Sequence, residues 1–551
     1  MKRCILQLLG LSALFAFGFV ICFHLGFQMM HPLDQSIVFD GAWRLICGQW
    51  FFDGFTTPVG FLPIMVQAFA FHLLGVEWWV YCLHAAIFNG LFVIVVYKLL
   101  QILRAEIWIS IPVALLSGVL FYPPMATPYP DQHAFFFSLL ALTVATKAVF
   151  SEGRNVFVWW SAVPVIITCG LLSKHVPTVF VIPAVAVLFG LSVCSGQRAK
   201  VLLGTLAGIL VSLVCVLLVF GLSVILSDDF WYTMVRLPTE LASTRLDDNE
   251  SLGFKWWRAF YLRPFQVLSK QNFTLSIVHL LPIVFIPLLL FVQRSNETAR
   301  VNYRWHLSIL TVMLGLHLAS SQFVDITSNQ RENGIPFVFV CVGLALVWLQ
   351  SEEVQRVVRG RFSKITHGTA LFAIGVICIM TWDAFQFNQR VNETRKVLDS
   401  EFNSTVGTIG MIKGTGLDGL RYNGPYGTGL LRPDSLILFL RQHSDERFLL
   451  FGDMAILNGL TGNRPISPVL WFHPGLTLPD TLSNEFAEFR SSFTSQVIAD
   501  SPSFVIFERN NRRTYTHLAW NHFPELNIWL EANTIDRRRV GGFDVCRLKV
   551  R

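Results

Sequence analysis

Residues 32–43 read PLDQSIVFDGAW and place Asp34 and Asp40 directly after an apolar run from Cys4 to Met30. Arg44 and Asp53 follow in the same stretch. Further along, PPMATPYPDQHA carries Asp131, Gln132 and His133, and LLSKHVP interrupts two apolar runs with Lys174 and His175. A long segment opening DDFWYTMVRLP holds Arg236, Glu240 and Lys255 among aromatics, and SQFVDITSNQRENG holds Arg331. Each feature has a plainer reading taken alone. An aspartate after a turn can cap a helix, a lysine can snorkel to the lipid interface, and paired tryptophans sit at headgroups. Together the residue types suit group transfer at a membrane surface. A carboxylate can take the proton of an acceptor hydroxyl. Lysine and arginine can hold a phosphate leaving group. Asp34 and Asp131 could also share a divalent cation such as Mg or Mn.

The elements that must position these residues are transmembrane. The chain is 53% hydrophobic and 14% charged, whereas a soluble protein is nearer one quarter charged. Its net charge of +7 is therefore read by location relative to a membrane, and nucleic acid is not an expected partner. No zinc-type Cys/His spacing, Walker motif or dinucleotide glycine motif occurs. Only Cys47 and Cys546 fall clearly outside apolar runs, so no disulfide framework is expected. A span needs about 20 mostly apolar residues. Candidates lie at 4–29, 78–100, 107–123, 134–150, 156–173, 176–194, 201–226, 273–293, 304–322, 334–350 and 367–385. The apolar piece 60–75 is ambiguous. Lys2 and Arg3 assign the N-terminus to the cytoplasm, and if 60–75 does not cross, every short-loop basic cluster falls on that same side. The expectation is thus about 11 spans, with 60–75 a juxtamembrane or re-entrant helix on the outer side. The short neighbours 156–173 and 176–194 need not both cross fully. The polar residues named above then bracket one mouth of the bundle, where ionisable groups tend to face a cavity.

The same alternation sends the end of the chain outside. RFLLFGD (447–453) and SFVIFE (503–508) have the pattern of buried strands. PDSLILFLRQH (433–443) and SNEFAEFRSSFTSQVIA (483–499) have that of amphipathic helices. The organisation read from this is a transmembrane domain over 1–385 and a soluble extracytoplasmic α/β domain over 386–551.

At this point the chain resembles a family. LDQSIVFDGAWRLICGQWFFDGF, with an aspartate before a Gly-x-aromatic, is similar to the signature loop of the GT-C superfamily of membrane glycosyltransferases. The branch it looks most like holds the protein mannosyltransferases and the bacterial aminoarabinose transferases of lipid A. PYPDQHAFF, LLSKHVPTVFVIP, DFWYTMVRLP and the tail segment LTGNRPISP (460–468) agree with that family in order. The resemblance implies a GT-C-like fold and inverting transfer of a sugar from a polyprenyl-phosphate donor to a lipid, glycan or protein acceptor. It implies Asp34 as the main catalytic carboxylate and Asp131 as the second acidic position. Lys174 and Arg331 would contact the donor. Asp40, Arg44, Asp53, Gln132, His133, His175 and Arg236 are added as substrate contacts from their location. Departures exist: Asp34–Gln35 stands where the family often has Asp-Glu, TTPVG (56–60) where many relatives carry Glu or a basic residue, and Pro130–Asp131–Gln132 where Pro-Glu or Leu-Asp-Pro is common. The long outer tail suits a bacterial inner-membrane enzyme with a periplasmic C-terminal domain. Rival readings are a transporter or flippase of a lipid-linked precursor, an oligosaccharide ligase or polymerase, and a non-catalytic adaptor. A transporter would place its polar groups at the midplane.

Overall fold

The computed structural model describes residues 2–27, 32–123, 125–237, 303–324, 335–351, 354, 410–411, 414–422, 433–452, 454–470, 472, 478–479, 481–508 and 522–549. The expected spans at 273–293 and 367–385, and the residues Glu240, Lys255 and Arg331, lie outside the described residues.

Nine helices lead the chain: α1 (Lys2–Gly26), α2 (Pro32–Ile46), α3 (Phe61–Leu74), α4 (Trp78–Ile102), α5 (Ile107–Leu120), α6 (Pro130–Val149), α7 (Arg154–Ser173), α8 (His175–Val193) and α9 (Arg198–Ile225). A short α10 (Asp228–Trp231) continues into a π-turn over Tyr232–Arg236. Two more apolar helices follow, α11 (Tyr303–Val324) and α12 (Ile335–Leu349). Among the described residues six helices (α1, α4, α6, α7, α8 and α9) are long and apolar enough to cross a membrane, and the protein is an integral membrane protein. The neighbours α7 and α8, with 20 and 19 residues, are both long enough. By contrast α5 has 14 residues. At about 1.5 Å per residue it falls short of a hydrocarbon core about 30 Å thick, so the expected span at 107–123 is shorter than its apolar run suggested. The helix α3 is equally short, 14 residues.

Packing in the bundle uses small residues, as helices in lipid do. A Cβ on Gly208 of α9 would run into the carbonyl oxygen of Ser161 on α7, so the two backbones touch there. Elsewhere α9 turns Leu206, Leu210, Leu218 and Leu222 outward, and α1 does the same with Leu6, Leu8 and Leu9.

The last part of the chain is mixed. It contains α13 (Pro433–Arg441), β3 (Phe448–Phe451), α14 (Leu457–Thr461), α15 (Asn484–Asp500), β4 (Phe504–Glu508), α16 (Pro524–Asn533), β5 (Thr534–Val540) and β6 (Phe543–Leu548), after a small pair β1 (Gly410–Met411) and β2 (Arg421–Tyr422). Strands β3 and β4 pair in parallel, β4 with β6 and β6 with β5 antiparallel, giving the order β3-β4-β6-β5. Both expected strands and both expected helices form where the sequence places them. The hairpin β5–β6 was not anticipated. It turns on Gly541–Gly542, both at positive φ, a dipeptide that favours two-residue hairpin loops.

The sheet is covered on both faces. Leu449, Phe451, Val505 and Leu548 pack with Phe493, Val497, Leu526 and Leu530 of α15 and α16. Phe448, Leu450, Phe504, Ile506, Phe543 and Val545 belong to one apolar cluster with Phe39 of α2, Phe61 of α3 and Trp78 of α4. A strand buried on both faces reads as a continuous apolar run without alternation, and FLLF does. The sheet and the first helices therefore share a core.

Candidate active site

Four breaks in the helices meet at one end of the bundle. The first is Gly60, at the start of α3. Its φ of 88° is left-handed, its N–H donates to Ser173 O at 2.9 Å, and a Cβ there would sit 3.2 Å from Pro130 Cγ. Glycine answers both demands. The second is Pro130, which opens α6 at its first position, where the missing N–H costs nothing. The third is Lys174, whose extended backbone separates α7 from α8. The fourth is the joint at Gly221 in α9, next to which Trp50 Nε1 donates to Val219 O at 2.7 Å.

These breaks bring two of the expected residues together. Lys174 Nζ donates to Asp131 Oδ1 at 2.7 Å. The Asp131 side chain is 1% exposed and that of Lys174 22%. Asp131 lies in the first turn of α6, where helix dipole and unpaired N–H groups favour an anion. An ammonium has three donors, and among the described residues Lys174 commits one, to Asp131. The others and the exposed part of the side chain are free to meet an anion. Asp131 thus already faces a cation, and no three His, Cys, Asp or Glu side chains converge as metal ligands among the described residues. Asp34 lies on the first turn of α2, and its side chain is outside the described residues.

Asp40 and Arg44 occupy a different environment from the one expected. Both are buried. Arg44 Nε donates to Asp40 Oδ2 at 2.8 Å, and its other nitrogens donate to the carbonyls of Ser467 and Val469. Asn458 Nδ2 donates to Asp40 Oδ1 at 2.9 Å. Trp43 Nε1 reaches Asn463 O at 2.7 Å and Gln49 Nε2 reaches Pro465 O at 2.9 Å. These side chains stitch α2 to residues 458–469. In this arrangement both side chains are buried and committed to that joint. Next to them, burial and then Asp40 push the Cys47 thiol up to about 11, against the pull of Arg464 and Arg44.

His133 also points inward. Fully buried, it lies with Nε2 2.9 Å from His84 Nε2 and Nδ1 against the Tyr122 hydroxyl. His84 Nδ1 meets Gln67 Oε1 at 2.9 Å. Gln132 is buried beside His133, His175 is half-buried at the start of α8, and Asp53 and Arg236 are exposed. Gln67, His84, Tyr122 and Asn458 escaped the sequence reading. The signal for the first two was a polar residue within an apolar helix, which in a membrane protein needs a partner.

No protein-family model matches the chain, and no curated protein matches it. Among solved structures, ArnT from Cupriavidus metallidurans bound to undecaprenyl phosphate aligns over 98% of both chains with a TM-score of 0.51 at 13% identity. The chain shares the fold of that structure. The apo state of that ArnT gives a TM-score of 0.49 at 13% identity over 98% of both chains. An oligosaccharyltransferase from Archaeoglobus fulgidus, tethered to an acceptor peptide, gives 0.48 at 10% identity over 96% of this chain and 72% of the other. In this fold the Asp131–Lys174 pair sits where α6 begins and α7 gives way to α8.

Proposed function

We propose that the chain is a glycosyltransferase that moves a sugar from a polyprenyl-phosphate donor to a lipid, glycan or protein acceptor, with inversion at the anomeric carbon. The observation that carries this reading is the Asp131–Lys174 pair: a half-shielded ammonium held by a buried carboxylate at a helix start. That arrangement suits recognition of a phosphate that gains charge as its bond to the sugar breaks. The shared fold supports the reaction class. The undecaprenyl phosphate of the ArnT structure supports the donor class by analogy.

In this reading the acceptor hydroxyl attacks the anomeric carbon and its proton passes to Asp34. The bond from that carbon to the phosphate oxygen breaks, and the electron pair leaves with the polyprenyl phosphate. Lys174 stabilises the leaving phosphate, and Asp131 orients the ammonium. Arg331 is a further donor contact. His175, Gln132, Asp53 and Arg236 are contacts for sugar or acceptor. The transmembrane part over 1–385 carries the chemistry. The part over 386–551 lies on the same, extracytoplasmic side as the site, in a bacterial inner membrane with the N-terminus in the cytoplasm.

The test is turnover of a radiolabelled panel of polyprenyl-phosphate sugars by purified protein, beside Asp34→Asn and Asp131→Asn. Transfer or donor hydrolysis by the wild type, lost in Asp34→Asn with folding intact, is the expected result. Absence of turnover with every donor, or Asn variants that match the wild type, would refute it and turn attention to transport of a lipid-linked precursor.

A further inference from the structure

The buried polar side chains that the transfer chemistry leaves unused form a line. Gln67 on α3, His84 on α4, His133 on α6 and Tyr122 before α6 are joined by three successive contacts. All are fully buried, with Phe88 packed against both imidazoles. The order of protons in this line follows from the orientation of the Gln67 amide. With Gln67 Oε1, an acceptor, facing it, His84 carries its proton on Nδ1. Nε2 of a neutral His84 is then bare, and His133 must donate to it from its own Nε2. His133 Nδ1 is in turn bare and takes the Tyr122 hydroxyl proton. Tyr129 O lies 3.2 Å from that same nitrogen. A proton on that nitrogen would instead give the reverse order, with the Gln67 amide turned over and donating.

The line also closes a ring. His133 stands two residues beyond Asp131 in the first turn of α6, whose Tyr129 cap position has no side-chain hydrogen bond. Asp131 meets Lys174. Ser173, next to Lys174, accepts from Gly60 N at the start of α3, the helix that carries Gln67. The circuit therefore runs from α3 to α4, to α6, to the α7–α8 break and back to α3. Asp131 cannot shift without straining a contact on each side.

We propose that Gln67, His84, His133 and Tyr122 are positioning residues: a one-directional hydrogen-bond relay that fixes the first turn of α6 and so holds Asp131 against Lys174. The proposal rests on the transfer reading for the importance of Asp131, but two of its three tests do not need turnover. The first is nitrogen NMR of histidine-labelled full-length protein in lipid nanodiscs, assigned with His84→Phe and His133→Phe. The expected spectrum shows His84 protonated at Nδ1 and His133 at Nε2; like tautomers or the reverse order overturn the relay. The second is the rate of reductive methylation of Lys174 by formaldehyde and borohydride, followed by mass spectrometry. Gln67→Leu and Tyr122→Phe break the line at opposite ends without touching Asp131 or Lys174. Both are expected to speed Lys174 modification several-fold in folded protein, and rates equal to wild type overturn the positioning role. The third is donor turnover, where kcat should fall roughly tenfold in both variants, since small misplacements near a reacting group cost that much or more, with KM for the polyprenyl-phosphate sugar unchanged. A fall in affinity alone overturns it. A wild type that turns over no donor refutes the proposed function and leaves the relay to the first two measurements.

Discussion

Lys174 is the residue on which the site reading turns, because it combines a buried partner with an exposed flank. Lys174→Met should lower transfer by roughly 10²–10³, the usual cost of removing one donor to developing charge, as read from kcat with saturating donor. Asp131→Asn keeps the ammonium but loosens it, so its loss should be smaller. Cys47 offers a second check. A thiol pushed up to about 11 is almost wholly protonated at neutral pH. Thiolate is the reactive form, so iodoacetamide should modify Cys47 much more slowly than an unperturbed exposed thiol. Legibility differs sharply at this scale. Asp131 and Lys174 each broke an apolar run, so the sequence marked both as out of place. Asp40 and Arg44 looked like members of the same group. Their i, i+4 spacing, which favours pairing on a helix, was the clue that they satisfy each other.

Among the elements, the loop 414–420 docks on the start of α4. Trp78 N donates to Gly416 O at 2.8 Å, and Arg441 donates to the carbonyls of Gly414 and Leu460. Glu77 lies at this joint. Burial, and then the charge of Asp418, raise its carboxyl above the ordinary value of 4.5, while Arg441 pulls the other way. The folded protein therefore binds more protons than the unfolded chain between 4.5 and the raised value, and stability falls as pH rises through that window. Glu77→Gln should flatten this dependence in thermal unfolding measured from pH 4.5 to 7. The close approach of α7 and α9 gives another test. Gly208→Val must push the helices apart, at a cost of about 1–3 kcal/mol or more, seen as a lower unfolding temperature. The helices themselves were plain in the sequence, since long apolar runs leave few alternatives. The hairpin β5–β6 was less plain. TIDRRRV is an edge strand with exposed arginines, so it lacks the alternation that betrays a half-buried strand, and only its Gly-Gly turn pointed to it.

For the molecule as a whole, the question is what joins the sheet to the helices. Hydropathy along the chain separates an apolar first part from a mixed last part, and it suggested two domains. It does not report which surfaces meet, and the shared core of α2–α4 with β3, β4 and β6 is such a meeting. Arg44 is its polar centre. Arg44→Met leaves Asp40 as a buried, uncompensated charge, and removing one partner of such a pair costs about 3–5 kcal/mol. Asp40→Leu with Arg44→Met removes both charges and should recover most of that loss. Protease susceptibility of residues 433–549 in the two variants distinguishes these outcomes.

That joint also sets an order of events at the ribosome. Asp40 and Asn458 are 418 positions apart. At about 5–20 residues per second, synthesis leaves α2 waiting roughly 20–80 s for the carbonyls and the amide that complete it. Its ion pair can form early, but its outer face stays wet and unfinished while span after span enters the membrane. A chain that stops short of residue 458 would hold all six described spans and still present the apolar sides of α2 and α3 to the cell's surveillance proteases.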